Sequence, residues 1–224
     1  MVLRSKIMIV KRIRSSFAQV LILCLSVVLW TCGPKNDPDP KLPDYLVVPS
    51  TLEGYEGSGL ITIEGEGLLL RAEGKERLDA ATQTYRGVLG EISGEDVTAN
   101  FTLGQPRPFR ERSQVPSQYR SYGTLSILRT LEPGTYSMGI QGSPGSRGEI
   151  ADLTLNLPGP LVYVTNSGTL TLAAVSLIRT LGDNSLYRLE GTFEATMYVD
   201  GVGVPAGQRN TSLSGRFDLL LVGD

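Results

Sequence analysis

The sequence contains no histidine, only two cysteines and a single tryptophan. Histidine is the commonest general base and the commonest metal ligand, so its absence excludes catalytic arrangements of the Ser-His-Asp and Cys-His kinds. Two cysteines cannot supply a thiolate cluster for a zinc ion. We therefore expect no catalytic residues, no metal ligands and no cofactor, and the chain is predicted not to be an enzyme.

The first 30 residues have the pattern of an export signal. Five basic residues and no acidic residue occur within the first 14 positions, and a largely apolar stretch follows at 17–30. A membrane-spanning helix needs about 20 apolar residues, so this stretch is short for a permanent anchor. A basic segment followed by an apolar segment of this length is typical of a secretory signal peptide.

The four residues Leu29-Trp30-Thr31-Cys32 resemble a lipobox, the cleavage signal of bacterial lipoproteins. In that family the cysteine becomes the first residue of the mature protein and carries lipid. Trp30 and Thr31 depart from the small residues usual at these positions. The resemblance implies a signal peptide at 1–31, lipid attachment at Cys32 and anchoring to the outer membrane; an uncleaved N-terminal anchor is the alternative.

Cleavage before Cys32 would leave 193 residues with 16 basic and 23 acidic side chains, a net charge of −7. This charge argues against a nucleic-acid partner, which a basic surface would attract. The single remaining cysteine excludes an intramolecular disulfide. The mature domain must therefore be stabilised by its hydrophobic core, which a chain of this length is large enough to form.

The segment 32–44 is rich in proline and aspartate and is predicted to be a tether. Asp37 and Asp39, shortly after the cysteine, resemble the export signal of surface lipoproteins in the Bacteroidota. A solvated linker without such a signal explains the same residues. The sequence therefore leaves a periplasmic and a surface-exposed location equally open.

From residue 45 to residue 224 the apolar residues recur with a period of two. The clearest stretches are 97–103, 151–157 and 187–199, and turns rich in glycine and proline separate them. Such alternation indicates half-buried antiparallel strands, and many short strands with these turns indicate a sandwich. We predict one all-β domain, an antiparallel β-sandwich of immunoglobulin-like or jelly-roll-like type. The segment 75–81 is predicted to be a turn of helix or a loop.

Four short motifs occur along the C-terminal ninety residues: GTY at 134–136, SGTLTL at 167–172, GTF at 191–193 and GRF at 215–217. With these motifs the segment resembles small uncharacterised Bacteroidota lipoproteins with a β-sandwich domain. The resemblance implies a secreted sandwich. It implies no activity and assigns no functional residue.

One segment stands out as a candidate contact for an anionic partner. Between residues 104 and 122 four arginines occur with a single glutamate and without strand alternation: Arg107, Arg110, Arg112 and Arg120. Long connections of this kind are often functional, and arginine pairs well with phosphate and carboxylate. A connector whose arginines pair with the acidic domain surface is the competing interpretation.

Carboxylate pairs give little support for catalysis. Glu190 and Glu194 lie four positions apart on one predicted strand, about 13 Å from each other, which is too far for a glycosidase pair. The sequence therefore favours a non-enzymatic binding or structural module of the cell envelope. Its predicted partners are the membrane, through lipid at Cys32, and an envelope glycan or protein; a glycan-binding or carboxylate-based glycan-hydrolysing protein is the alternative.

Overall fold

The computed structural model describes residues 42–106, 121–128, 130–139, 150–159, 161–205, 207 and 209–223. A short 3₁₀ turn at Asp44–Leu46 precedes eleven strands. The strands are β1 Ser58–Gly65, β2 Leu68–Glu73, β3 Arg77–Asp79, β4 Thr84–Ser93, β5 Asp96–Pro106, β6 Tyr122–Ile127, β7 Gly134–Met138, β8 Ala151–Leu157, β9 Leu161–Leu181, β10 Asn184–Asp200 and β11 Asn210–Gly223.

The alternation seen in the sequence corresponds to alternating burial along the strands. In β8 every second residue from Ala151 to Leu157 is buried, and the residues between them are half-buried. In β10 and β11 the apolar series contributes Leu189, Phe193 and Leu219 to the core. The predicted strand faces are therefore confirmed, because in β8, β10 and β11 one face meets the core and most of the opposite face is less buried.

The eleven strands form one sheet in the order β2-β1-β11-β10-β9-β7-β8-β6-β5-β4-β3. Nearly all neighbours are antiparallel, and the longest ladder joins β9 to β10. This ladder shifts register at three points, each of which leaves one extra residue in β9. Such bulges bend and twist a sheet, which allows one continuous sheet to curve over its own core.

The curved sheet has a sandwich-like arrangement, as predicted from the sequence. Its inner residues come from both halves of the strand order and form one cluster that includes Phe101, Leu125, Leu153, Phe193 and Phe217. At one end, a short parallel pairing of Val222 and Gly223 with β4 also joins the halves directly. This parallel contact, and another between β7 and β8, departs from a purely antiparallel sheet.

A second, smaller cluster lies on the outer side of β10 and β11. Leu186 and Leu220 point away from the main core, and Leu52 from the N-terminal segment covers them. Residues 49–57 therefore pack along this end of the sheet, where Gly90 donates a backbone hydrogen bond to the carbonyl of Glu56. The N-terminal segment is thus part of the folded domain.

The segment 75–81 contains a short strand where the sequence predicted a helical turn or a loop. Arg77–Asp79 pairs with β4, and Asp79 then accepts hydrogen bonds from the backbone N–H groups of Ala81 and Thr82 at 2.9 and 3.2 Å. These bonds lower the pKa of the Asp79 carboxyl. An aspartate that caps a turn in this way favours a hairpin over a helix.

Candidate functional site

The most extensive polar feature of the described domain is an outward-facing surface on β7, β9, β10, β11 and β1. Directly paired residues share a face of a sheet, so the strand register places hydroxyl side chains in rows across the strands. We call this surface the hydroxyl face. Its members are Thr135, Ser137, Ser167, Thr169, Thr171, Thr192, Thr196, Ser212 and Ser214, together with the charged residues Glu64, Glu194 and Arg216.

One row crosses five strands. Glu64 on β1 lies opposite Ser214 on β11, and Ser214 lies opposite Glu194 on β10. Glu194 in turn lies opposite Thr169 on β9, which lies opposite Ser137 on β7. With strands about 4.8 Å apart, this row is about 19 Å long. Two carboxylates therefore stand on either side of one serine, with backbones about 10 Å apart.

A second row runs parallel to the first. Arg216 on β11 lies opposite Thr192 on β10, followed by Thr171 and Thr135. The hydroxyl groups of Thr135 and Thr171 are 3.3 Å apart and hydrogen-bonded. All four side chains are exposed. The rows together present closely spaced hydrogen-bond donors and acceptors on short side chains.

Two adjoining shallow depressions lie on the hydroxyl face and share Glu64, Glu194 and Ser214 in their walls. Their volumes are about 640 and 560 Å³. The first extends over Ser167 and Ser212, and the second extends toward Arg216. We call the combined depression the glutamate groove. Among the described residues that line the groove, none places an aromatic ring on its outer side; exposed Tyr198 lies two residues beyond Thr196 on the same face of β10.

An ion cluster lies beside the groove on the same outer surface. Arg188 binds Asp218 through two parallel hydrogen bonds of 2.9 Å and contacts Glu190 at 3.1 Å. The hydrogen bond to Asp218 raises the pKa of the Arg188 guanidinium. Glu190 is thus neutralised by a neighbour on its own strand. Glu64 and Glu194, in contrast, have no ion-pair partner within the described residues.

Another depression of about 460 Å³ lies where β4 meets the end of β11. Its wall includes Tyr55, Glu56, Glu91 and Asn184. Partial burial raises the pKa of the Tyr55 hydroxyl to about 12, and this hydroxyl donates to the carbonyl of Leu220 at 3.4 Å. The Lys75 ammonium stands 5.4 Å from the centre of the Tyr55 ring. These contacts hold Tyr55, which is part of the N-terminal segment, against the sheet and indicate a structural role for it.

Two further polar groups were considered as site residues. Tyr198 is exposed and accepts a 2.7 Å hydrogen bond from Arg209. Asp152 lies opposite Ser126 on the other half of the sheet, and burial raises the pKa of its carboxyl. One carboxyl oxygen of Asp152 is buried without a hydrogen-bond partner in the described part of the domain. Neither residue belongs to a cluster of convergent polar side chains.

Several residues singled out in the sequence lie outside the described residues. These are Cys32 with the signal peptide and most of the tether, and the four arginines Arg107, Arg110, Arg112 and Arg120. The prediction of lipid attachment and the prediction of an anionic contact therefore stay predictions. Glu190 and Glu194, which the sequence placed on one outer face, do lie on the outer surface of β10.

Sequence reasoning missed the glutamate groove. The alternation of Thr192, Glu194 and Thr196 was visible, but it indicated only a solvated face. The pairing of β1 with β11, which brings Glu64 across Ser214 to Glu194, joins residues about 150 positions apart in the chain. No local pattern in the sequence encodes that register.

Within the described ranges, no group of three or more cysteine, aspartate or glutamate side chains is arranged to hold a metal ion. None of the described helical residues forms a helix long and apolar enough to cross a membrane. Comparisons with protein-family models, with curated proteins and with solved structures give no match to this chain. The candidate site therefore rests on the geometry of the hydroxyl face alone.

Proposed function

We propose that this chain is an envelope lipoprotein whose sandwich domain binds a glycan in the glutamate groove. The observation that carries the proposal is the row Glu64–Ser214–Glu194, whose three side chains line one shallow depression. A sugar presents several hydroxyl groups that both donate and accept hydrogen bonds. Serine and threonine hydroxyls have the same double capacity, and carboxylates are strong acceptors for such groups.

The charge of the groove supports an uncharged or amino-bearing glycan. Glu64 and Glu194 contribute two negative charges and Arg216 one positive charge. A uronic acid or a sulfated sugar would meet two carboxylates that have no cationic partner in the described residues, and like charges at short range are unfavourable. A hydroxyl or ammonium group would find acceptors on both sides of Ser214.

The length of the row supports an extended ligand rather than a single sugar. The row of polar side chains runs about 19 Å across five strands, so several sugar units can lie across the strands. Without an aromatic platform the affinity would come from hydrogen bonds, each of which contributes only about 0.5–1.5 kcal/mol net. We therefore expect weak binding that is strengthened by ligand length.

The experiment measures binding of neutral, amino-bearing and acidic polysaccharides to the purified chain by calorimetry. Glu194→Gln should weaken binding by about tenfold or more, because a hydrogen bond to a charged group is worth about 1.5–3 kcal/mol. Ser214→Tyr should abolish binding by filling the groove. Glu91→Gln is the matched control, since Glu91 is an exposed glutamate in the wall of another depression.

The four-arginine segment is tested in the same experiment. Replacement of Arg107, Arg110, Arg112 and Arg120 by serine should leave binding of the neutral glycan unchanged. If that variant instead loses binding of an acidic ligand, and the wild-type contact weakens with salt, the arginine segment is the binding site. Unaltered binding by Glu194→Gln and Ser214→Tyr would reject the groove.

Hydrolysis is a second function to test, because the groove contains two carboxylates across one serine. A glycosidase needs one carboxyl that stays protonated as the general acid, and burial is the usual means. Glu64 and Glu194 are both exposed, which favours binding over hydrolysis. Release of new reducing ends from a bound polysaccharide, lost in Glu194→Gln, would overturn this preference.

A further inference from the structure

The exposed large apolar side chains of the described domain are concentrated at its two ends. They are Leu42, Val47, Leu69, Leu177, Ile178, Leu181, Tyr198 and Val202. We call the end that carries the β9–β10 turn and residues 49–57 the proximal end, and the end that carries the β10–β11 turn the distal end. Leu69, Tyr198 and Val202 belong to the distal end, where Gly65 pairs with Leu213.

The tip of the β9–β10 hairpin carries the apolar side chains of the proximal end. Leu177, Ile178 and Leu181 are 59, 41 and 37% exposed. They lie beyond Leu172, where the pairing of β9 with β7 stops. Within the described residues, this part of β9 pairs with β10 only. The hairpin therefore extends past the main core and presents three large apolar side chains to solvent.

The N-terminal segment meets the domain beside this hairpin. The Arg179 guanidinium donates a 3.0 Å hydrogen bond to the carbonyl of Pro49. Two residues earlier, Val47 is 59% exposed, and Leu42 is 61% exposed. The chain therefore meets the domain at the end that carries the exposed hairpin, and Val47 adds a further exposed apolar side chain two residues from this contact.

The chain length between Cys32 and Pro49 limits how far this end can be from a lipid at Cys32. Seventeen residues span at most about 60 Å when fully extended. Apolar side chains at a bilayer surface insert about 5–10 Å into the boundary between headgroups and acyl chains. Arg179 would stand at the level of the headgroups, and Asp183 in the turn offsets its charge, so the contact would depend mainly on apolar burial.

We propose that the proximal end is a membrane-contacting surface, in which Leu177, Ile178 and Leu181 enter the bilayer that holds the lipid on Cys32. This inference rests on the lipid anchor of the proposed function. It assigns an orientation to the domain: the proximal end contacts the bilayer and the distal end points away from it.

A second copy of the chain fits this surface less well than a membrane does. An added strand would need a regular ladder along residues 173–181. The β9–β10 ladder shifts register twice within this stretch, where Ala173 and Ile178 are the extra residues. Bulges of this kind interrupt pairing with a further strand and are a usual protection of sheet edges.

The test uses the lipidated chain with Ile178→Cys, labelled with an environment-sensitive dye. Acylation blocks the Cys32 thiol, so the mature chain has no other cysteine to label. In vesicles of phosphatidylethanolamine and phosphatidylglycerol the dye emission should shift to the blue. Nitroxide-bearing phosphatidylcholine should quench most of the fluorescence. Val202→Cys, labelled at the distal end, is the matched control and should stay unquenched.

Replacement of the apolar residues near position 178 by serine should weaken the contact with the membrane. Leu177→Ser with Leu181→Ser should reduce quenching of the dye at position 178, whereas Leu69→Ser should leave it unchanged. Equal quenching at positions 178 and 202, or none at 178, would overturn the proposal. If quenching instead increases with the density of protein on the vesicle and does not require the nitroxide lipid, the proposal would also be overturned. Pairing between two copies of the chain would then explain the quenching.

A chain that is held on the vesicle without acylation tests the membrane-contacting surface independently of a lipid at Cys32. The Cys32→Ser chain carries a histidine tag at residue 32 and is held on vesicles by a nickel-chelating lipid. If Cys32 is not acylated in cells, the proposed anchor fails, yet the dye at position 178 should still be quenched in the tethered form. Loss of quenching in the tethered form would reject the membrane-contacting surface itself.

Discussion

Phe217 lies directly opposite Gly191 in the β10–β11 ladder, and its ring occupies the space that a side chain at Gly191 would need. The relationship is reciprocal, because Phe193 lies opposite Gly215 and its ring fills the space beside that glycine. Each of the GTF and GRF motifs thus supplies one phenylalanine, together with the glycine that makes room for the phenylalanine of the other motif. Phe193 is 2% exposed and Phe217 is 3% exposed, and both belong to the main core.

Gly191→Ala is expected to destabilise the domain by about 1–3 kcal/mol, the usual result of overpacking a core. Its Cβ would stand 2.9 Å from Cε1 of the Phe217 ring. Phe193→Ala removes a buried ring and should cost about 3–5 kcal/mol. Denaturant unfolding measures both. Gly207→Ala is the control, since a Cβ there meets nothing within 4 Å; equal effects at both glycines would contradict the packing.

Arg188→Met should destabilise the domain by about 1.5–3 kcal/mol, because it leaves the Asp218 carboxylate without its bidentate partner. Asp218 is only 17% exposed, so water replaces the lost bonds poorly. Arg71→Met is the matched control: Arg71 contacts Glu73 at 2.6 Å, but both are well exposed. That pair should contribute less than about 1 kcal/mol. Similar unfolding midpoints for the two variants would be evidence against the prediction.

The stability of the domain should fall as the pH rises from 10 to about 12. Burial raises the pKa of Tyr55 from 10.0 to about 12, so the unfolded chain loses this proton first. The stabilising contribution is complete below pH 10 and is lost as the pH passes the folded value. Unfolding midpoints against pH should therefore fall less steeply in Tyr55→Phe than in the wild type.

Cys32 should carry lipid in cells that export the chain. A fatty-acid analogue supplied in the medium should label the wild type and fail to label Cys32→Ala, because the thiol is the proposed attachment point. One acyl chain gives only reversible membrane binding, so stable anchoring would need more than one. Cys24→Ala is the control and should be labelled like the wild type. Equal labelling of wild type and Cys32→Ala would mean that the resemblance to a lipobox is misleading.

Much of the fold follows from local patterns. The period of two in β8 and β10 indicated which residues are buried, and Leu153, Leu155 and Phe193 lie in the core as that pattern requires. The short strand at Arg77–Asp79 was not recognised, because three residues carry too little periodicity and Asp79 determines the turn through its own hydrogen bonds. The location of a buried face is thus easier to predict than a short strand at an edge.

The amino-acid sequence alone determined the all-β class, the alternating faces of the strands and the absence of histidine chemistry, because these depend on residue type and local spacing. Only the tertiary structure decided which strands are neighbours. The pairing of β11 with β1 on one side and with β10 on the other brings Glu64, Ser214 and Glu194 into one groove. Such contacts depend on sheet register between distant segments, and register follows from the packing of the whole core rather than from any local pattern.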